Sequence, residues 1–363
     1  MILKNVTLEG EQVALVLEKG KIKEIVKNDL QTDGDFLDCT GLCVIPGLID
    51  VHTHGREGMD TMDADFAPLV DSYAKMGTTS VLLTTMTLGN EALGRVTHSN
   101  APTRGAHVLG IHLEGPYISE YKLGAQNGDH VRLPSLEEFC AFGDTVKMIT
   151  VAPEVEGMCD FIREASKSAV VSIGHTCCTY DEAIAAIDAG ASCLTHTFNA
   201  MPPFLHRAPG PIGAGCERGI YAQLIGDGFH LSRGALVSAY RMFGAERAVL
   251  ISDSVAPAGL PDGTYSSGDL PVEVRDGKIY LQGSDTIAGS YASLLDCVRT
   301  ATSFGIPFSD AVRMATLTPA TMLGIADRKG SVAVGYDADL LLLDKDYQLK
   351  MVIIDGEIYV NYI

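Results

Sequence analysis

The sequence predicts an α/β fold, a (β/α)8 TIM barrel that carries a small β-sandwich formed by the N- and C-terminal segments. Three observations support this prediction. The chain has 363 residues, which suits one barrel of about 250 residues plus a smaller appendage. Eight short apolar runs alternate with helical stretches between residues 47 and 255. The segments before and after this region show instead the two-residue alternation of half-buried strands.

The predicted barrel strands are short runs rich in β-branched and other apolar residues. They lie at 47–51, 79–84, 108–113, 146–151, 170–174, 193–195, 221–225 and 248–252. Two of the helical stretches between them, 66–76 and 181–189, end directly before Gly77 and Gly190, as helices commonly do. Strands that alternate with helices pair in parallel, and eight of them can close into a barrel.

The two ends of the chain hold the remaining predicted strands, at 13–17, 21–26, 338–344, 350–354 and 357–360. An isolated hairpin is only marginally stable in water, so we expect the two ends to pack together beside the barrel. The chain then divides into a sandwich segment at 1–45, a barrel at 46–330 and a second sandwich segment at 331–363. A Gly-, Asp- and Ser-rich stretch at 259–288, with a hairpin around Asp276-Gly277, follows the last barrel strand and is a candidate lid or rim.

Charge and cysteine content restrict the possible partners. Lysine and arginine total 27 against 46 aspartates and glutamates, and the net charge of −19 argues against nucleic acid or an anionic membrane as a partner. An anionic substrate would need a local basic pocket. Nine cysteines with no C-x-x-C pair predict reduced thiols, mostly in the core. The apolar runs are too short to cross a membrane and the N-terminus lacks a secretory signal, so we expect a cytoplasmic protein.

The most informative stretch is 46–55, Pro-Gly-Leu-Ile-Asp-Val-His-Thr-His-Gly, at the end of the first predicted barrel strand. Side chains alternate across a strand, so His52 and His54 point the same way and can share a metal ion. Such a pair alone could equally be structural. Further ionisable residues follow later strands, however: Glu114, His175, His196 and Asp253.

Barrel enzymes place their chemistry at the C-terminal ends of the strands, where all six of these residues fall. Each residue alone would be interpreted as a core or rim residue whose hydrogen bonds are made by local partners. Together they predict a divalent-metal centre with one or two ions per subunit. Imidazoles with carboxylates suit Zn²⁺ or Fe²⁺ better than Mg²⁺ or Ca²⁺, and we expect Zn²⁺, with Fe²⁺ as the other candidate.

Six motifs carry a resemblance to a known family: 46–55, His-Leu-Glu-Gly-Pro-Tyr at 112–117, Gly-His-Thr at 174–176, His-Thr-Phe-Asn-Ala-Met at 196–201, Asp-Gly-Phe-His at 227–230 and Ile-Ala-Gly-Ser at 287–290. At these residues the chain resembles the amidohydrolase superfamily and, within it, the family of N-acetylglucosamine-6-phosphate deacetylases. The resemblance covers essentially the whole chain. Some relatives bridge two metals with a modified lysine at the end of the fourth strand. Here Lys147 begins that strand while Glu114 ends the third, so a carboxylate bridge fits better.

The resemblance implies that Glu114, His175 and His196 hold one metal ion, that His52 and His54 can hold a second, and that Asp253 is the general acid/base beside the metal. A metal lowers the pKa of bound water toward 7, so that hydroxide becomes available to attack an amide carbonyl. Asp253 would take the proton of the water and return it to the departing amine.

The resemblance also implies a small amino sugar phosphate as substrate. Its binding positions match Ala125, Gln126, Asn199, Ala200, Arg207, His230, Ile287, Ala288 and Gly289. Arg207 and His230 would pair with the phosphate and supply the local positive charge. In this family the arginine can come from the neighbouring subunit, which implies a homodimer. The other interpretation is that Arg207 is a solvated cation on a loop and binds no phosphate.

Two departures from the family leave alternatives open. Many members lack one or both histidines of the first-strand pair and use one metal, whereas His52 and His54 are both present here. The single-metal members often have a histidine at the position of Gln126; a glutamine can still donate a hydrogen bond to a carbonyl.

The alternative substrates are N-acetylgalactosamine 6-phosphate and an N-acyl amino acid. A sugar-phosphate sensor or a structural barrel would have no need for the proton shuttle Asp253.

Overall fold

The computed structural model describes residues 1–27 and 36–363; residues 28–35, part of the first predicted sandwich segment, lie outside the described residues. Eight parallel strands form the barrel in chain order, each paired with the next: β1 (Leu48–Thr53), β2 (Thr78–Thr85), β3 (His107–Glu114), β4 (Val146–Val151), β5 (Val170–Ile173), β6 (Cys193–Leu194), β7 (Tyr221–Ile225) and β8 (Ala248–Ile251). The predicted fold class is confirmed, and each predicted run overlaps a barrel strand.

The first and last barrel strands meet through individual hydrogen bonds. The Asp253 main-chain N–H donates to the His52 carbonyl at 3.0 Å. The buried Asp50 carboxylate accepts from the main-chain N–H groups of His52 and Ser252 at 3.2 and 3.4 Å. Burial raises the pKa of Asp50 to about 6. These contacts join the strand that carries the histidine pair to the strand that precedes Asp253.

Helices cover the outside of the barrel, and the predicted helices at 66–76 and 181–189 are confirmed within one residue. A Thr179–Glu182 capping box begins the second of these, and Gly190 ends it with a φ of 127°. The helices are Phe66–Lys75, Asn90–Thr97, Leu136–Ala141, Met158–Ala165, Tyr180–Ala189, Gly210–Arg218, Arg233–Phe243, Leu294–Ser303, Phe308–Met314 and Leu317–Met322, with 3-10 turns at Thr61–Asp63 and Gly128–His130.

The two ends of the chain share one sheet beside the barrel, as expected. Its strands are Ile2–Leu8, Glu11–Glu18, Lys21–Lys27, Leu37–Asp38, Cys43–Pro46, Leu340–Leu343, Leu349–Ile354 and Glu357–Asn361. The strand at 43–46 pairs antiparallel with the strand at 340–343 and joins the two ends. Leu341 and Leu343 pack into the core between barrel and helices, whereas Leu340 and Leu342 pack into the terminal segments' own core. This alternation follows from the two-residue period of a strand.

The stretch at 259–288 forms a three-stranded antiparallel sheet, Gly263–Ser267, Leu270–Arg275 and Lys278–Leu281. Asp276 and Gly277, with φ of 50° and 66°, form the predicted hairpin turn. A two-stranded ladder, Gly55–Arg56 with Met59–Asp60, follows β1.

The nine cysteines are free thiols. The expectation that they lie mostly in the core holds for Cys39, Cys178, Cys193 and Cys297, but Cys140 and Cys177 are exposed. Over the described part of the chain, none of the helices has both the length and the apolar character that a membrane span requires.

Candidate metal centre and substrate pocket

Four imidazoles and two carboxylates converge at the C-terminal end of the barrel. All six of the predicted ligand residues, from five different strand ends, are buried, with exposed fractions between 0 and 8%. They are His52, His54, Glu114, His175, His196 and Asp253. The first and last of them lie far apart in the chain, and the parallel order of the strands brings them to one rim.

Glu114 lies at the middle of this cluster. One of its carboxylate oxygens, Oε1, lies 3.2 Å from His52 Nε2, 3.2 Å from His175 Nε2 and 3.0 Å from His196 Nε2. The other, Oε2, lies 3.2 Å from His54 Nε2. The glutamate therefore belongs to two groups of three possible ligands, one with His52 and His54 and one with His175 and His196. A carboxylate in this position could be shared by two metal ions.

The spacing of the donor atoms fits a metal centre. In a tetrahedral zinc site with bonds of about 2.0–2.1 Å, neighbouring ligand atoms lie about 3.3 Å apart. The His52 and His54 Nε2 atoms are 3.3 Å apart, and those of His175 and His196 are 3.0 Å apart. Asp253 belongs to neither group of three, but its Oδ1 lies 3.4 and 3.5 Å from the Nε2 atoms of His52 and His54. The residues present thus suit one or two divalent ions.

Hydrogen bonds at the far side of two rings orient them for this purpose. His175 Nδ1 lies 2.9 Å from the main-chain oxygen of Lys122, and His52 Nδ1 lies 2.9 Å from Gln223 Oε1. Both oxygens can only accept, so both Nδ1 atoms carry a hydrogen, and in the neutral ring that metal binding requires each Nε2 atom would present its lone pair to the centre. In the neutral rings the Nε2 lone pairs of neighbouring imidazoles would repel one another, and a proton or a metal ion between them would remove this repulsion.

The backbone turns sharply where the later ligands leave their strands. His175, His196 and Asp253 have φ of 46°, 27° and 49°, in the left-handed region that non-glycine residues seldom adopt. Glu154 supports the first of these turns, because its carboxylate accepts hydrogen bonds from Thr176 Oγ1 and the Cys177 main-chain N–H, each at 2.5 Å. Such strain is typical of functional sites, where the surrounding contacts hold it.

Contacts within the centre favour the ionised form of both carboxylates. Burial opposes ionisation of Glu114, but the surrounding imidazoles, His52 and His175 first, outweigh burial and hold the pKa of Glu114 well below its ordinary value. At Asp253 burial is likewise outweighed by His52 and His54, and the pKa of Asp253 is lowered. Ionised carboxylates can bind a metal ion or accept a proton.

A cavity of about 460 Å³ opens beside the centre. Eight of the nine predicted substrate residues line it: Ala125, Gln126, Asn199, Ala200, His230, Ile287, Ala288 and Gly289. The sheet at 263–281 contributes Leu270, Val272 and Leu281 to the wall, which agrees with the expectation of a rim. Arg207, the ninth, is exposed and does not line the cavity within one chain. Its assignment to the phosphate stays a prediction.

His230 and Lys122 are the basic residues that line the cavity. Asp227 Oδ2 lies 2.7 Å from His230 Nδ1. Burial disfavours the charged imidazole, but Asp227 outweighs burial and raises the pKa of His230. Lys122 also lines the cavity, a lysine that sequence reasoning did not single out. The cavity therefore has basic residues in its lining, although the protein as a whole is acidic.

Gln126 forms a hydrogen bond with Glu114, a member of the metal-binding cluster. Its Nε2 donates to Glu114 Oε2 at 2.5 Å, and its Oε1 accepts from the Thr87 main-chain N–H at 2.7 Å. The sequence suggested that this amide could donate to a substrate carbonyl. In the structure one of its donors holds the carboxylate that the two ligand groups share.

Sequence reasoning missed Gln223, which touches ligands from both groups. A signal was available, because a glutamine interrupts the apolar run at 221–225, and a buried polar side chain needs hydrogen-bond partners.

Comparisons with known proteins find relatives that match most of the chain. The family model described as the amidohydrolase family matches residues 43–359. An N-acetylglucosamine-6-phosphate deacetylase of Bacillus subtilis is 37% identical over 356 residues, which cover 93% of this chain and 88% of the relative. The Homo sapiens protein of that name is 35% identical over 346 residues, covering 88% and 84%.

Solved structures of proteins with the same name also superimpose on this chain. A mutant of the Mycobacterium smegmatis N-acetyl-D-glucosamine-6-phosphate deacetylase, in complex with N-acetyl-D-glucosamine 6-phosphate, superimposes with a TM-score of 0.93 at 33% identity and covers 99% of both chains. The Thermotoga maritima N-acetylglucosamine-6-phosphate deacetylase superimposes with a TM-score of 0.89 at 32% identity and covers 99% of this chain and 100% of that one.

Proposed function

The chain belongs to the amidohydrolase family, and on that premise we propose that it hydrolyses the N-acetyl group of N-acetylglucosamine 6-phosphate, releasing glucosamine 6-phosphate and acetate. The observation that carries this function is the buried centre shared by Glu114, which lies beside a cavity lined by His230 and Lys122. The relatives from Bacillus subtilis and Mycobacterium smegmatis carry the name of this activity, and the latter was crystallised with this sugar phosphate.

The reaction needs a group that activates water and a group that moves protons. A divalent metal bound here would lower the pKa of water toward 7 and polarise the amide carbonyl. Glu114, His175 and His196 would hold one ion, and Glu114 with His52 and His54 a second. Zn²⁺ is the metal we propose, with Fe²⁺ as the other candidate, since imidazole and carboxylate ligands suit both.

Asp253 is the residue we assign to proton transfer. The pKa of its carboxylate is lowered, Oδ1 lies beside the Nε2 atoms of His52 and His54, and the residue lines the cavity. It can take a proton from the attacking water and deliver it to the nitrogen of the leaving amine, without which the amine would be a poor leaving group. Asn199, Ala200 and the turn at 287–289 would position the sugar.

The phosphate is assigned to His230 and Arg207. The pKa of His230 is raised by Asp227, which favours the cationic ring that a phosphate would attract. Arg207 is exposed on a loop next to the exposed Phe204 and Leu205. We propose that this loop packs against a second copy of the chain and that Arg207 reaches the partner's cavity, so that the enzyme is a homodimer.

Two further assignments follow from the sequence and remain proposals. The nine free thiols suit a reducing compartment, and we propose a cytoplasmic location. We also propose the division into a barrel at 46–330 and terminal segments at 1–45 and 331–363.

The test is acetate release by the purified protein loaded with Zn²⁺, or separately with Fe²⁺. The substrates are N-acetylglucosamine 6-phosphate, N-acetylgalactosamine 6-phosphate, unphosphorylated N-acetylglucosamine and an N-acyl amino acid. We expect the first compound to have the highest kcat/KM, and activity to disappear when a chelator removes the metal. Binding of the sugar phosphate without acetate release by the metal-loaded protein would refute the proposal in favour of a sensor.

A further inference from the structure

Gln223 is a fully buried polar residue in the barrel strand β7. Its neighbours along the strand are apolar, and the side chain lies inside the barrel beneath the ligand cluster. Amide side chains are seldom fully buried unless their hydrogen bonds are satisfied. The contacts of Gln223 therefore indicate why the chain carries an amide at this position.

One atom of Gln223 makes two contacts with the centre. Its Oε1 lies 2.9 Å from His52 Nδ1 and accepts a hydrogen bond from the His196 main-chain N–H at 3.3 Å. Its Nε2 lies 3.5 Å from Met148 Sδ, a weak acceptor. The amide oxygen is thus the chemically important end of this side chain.

The two contacts act on different ligand groups. Because an amide oxygen cannot donate, His52 must keep its hydrogen on Nδ1 and present Nε2 toward Glu114. At His196 the contact helps to hold a main chain with a φ of 27°. His52 belongs to one group of three ligands and His196 to the other.

Gln126 also acts on both groups, through the Glu114 carboxylate that they share, whereas the other hydrogen bond to a ligand ring serves a single ligand. His175 is oriented by a main-chain oxygen, and within the described residues His54 Nδ1 and His196 Nδ1 have no hydrogen-bond partner. The ring of His196 thus depends on the position of its main chain, which Gln223 helps to set.

We propose that Gln223 is a positioning residue that couples the two metal positions, by fixing the tautomer of His52 and the main chain of His196 through one amide oxygen. The inference rests on the metal-binding part of the proposed function and goes beyond the ligands themselves. It predicts that removing this oxygen weakens both metal positions together, although Gln223 itself touches neither metal nor substrate.

The experiment compares two replacements of similar size. Gln223→Met fills the same space without a strong acceptor, and Gln223→Glu keeps an oxygen at the same distance along the side chain. The matched control is Thr197→Val, beside His196, because the buried Thr197 hydroxyl has no partner within the described residues. Metal stoichiometry and Zn²⁺ affinity are measured by elemental analysis and by competition with a chelator.

We expect Gln223→Met to lower Zn²⁺ affinity at both positions by about 10- to 100-fold, the usual effect of losing a hydrogen-bond partner of a metal ligand. Gln223→Glu and Thr197→Val should bind as the wild type does. Wild-type affinity in Gln223→Met would overturn the proposal, and so would an equal loss in all three variants, which would indicate a general packing effect.

Two controls keep the outcome interpretable. If Gln223→Met fails to fold by circular dichroism, Gln223→Asn serves in its place, because its shorter side chain withdraws the oxygen from His52 while remaining polar. Failure of the proposed function would be seen separately, as wild-type protein that binds Zn²⁺ but releases no acetate.

Discussion

Replacing Glu114 by alanine tests the central feature of this protein, one carboxylate shared by two groups of ligands. Each group contains three donors, and Glu114 is the only member common to both. Glu114→Ala therefore leaves two imidazoles in each group, fewer than the three protein ligands of an open zinc site. Only Asp253, which we assign to proton transfer, lies close enough to the His52 and His54 pair to add a donor. The double variant His52→Ala/His54→Ala instead leaves one group complete.

The expected result is a count of ions per subunit. We expect Glu114→Ala to hold no tightly bound ion, and the His52→Ala/His54→Ala variant to hold one. At a free metal concentration of about 100 times the Kd, one bound ion stabilises the folded state by about 2.7 kcal/mol. Added Zn²⁺ should thus raise the unfolding temperature of the wild type and of the double histidine variant but not that of Glu114→Ala.

The assay is elemental analysis after removal of free metal, together with thermal unfolding with and without Zn²⁺. Glu138→Ala is the matched control, because the Glu138 carboxylate pairs with Arg132 and belongs to neither ligand group. A metal-free double histidine variant beside a loaded Glu114→Ala variant would refute the reasoning, since it would make the first-strand pair the principal site.

Three further predictions concern proton transfer, substrate charge and acid stability. Asp253→Asn should keep near-normal metal content while kcat falls at least about 100-fold; wild-type turnover would exclude Asp253 as the proton carrier. Arg207→Ala should raise KM for the 6-phosphate substrate with a smaller effect on kcat and leave turnover of the unphosphorylated sugar unchanged; equal losses on both substrates would assign Arg207 a structural role. Burial opposes ionisation of Asp339, but His107 and Lys329 outweigh it and lower the pKa of Asp339 from 3.8 to about 2. The carboxylate therefore stabilises the fold fully above about pH 4 and loses this contribution as the pH falls through about 2. Asp339→Asn should lower the free energy of unfolding at pH 7 by about 2 kcal/mol, with the difference from wild type shrinking below about pH 4 in urea titrations; a difference that stays constant with pH would contradict this.

The barrel and the location of its chemistry were predictable from the sequence. The alternation of apolar runs with helical stretches indicates parallel strands, and parallel strands bring their C-terminal ends to one rim. Glu114 and Asp253, 139 positions apart by their numbers, could therefore be expected side by side. The terminal strands were also predictable, because strands that bury one face keep a two-residue period.

The contacts across strands were not predictable in the same way. That Gln126 donates to Glu114, that Gln223 serves both His52 and His196, and that Arg207 lies outside the cavity of its own chain depend on the register and stagger of neighbouring strands and on loop paths. No local pattern encodes these distances.

The sequence by itself determined which residue types stand at the ends of which strands, because periodicity and turn signals are local properties of the chain. Only the tertiary structure decided which atoms share hydrogen bonds and ligand positions. The physical reason is that hydrogen bonds and metal bonds are sensitive to differences of less than about 1 Å, and such differences arise from the packing of the whole barrel.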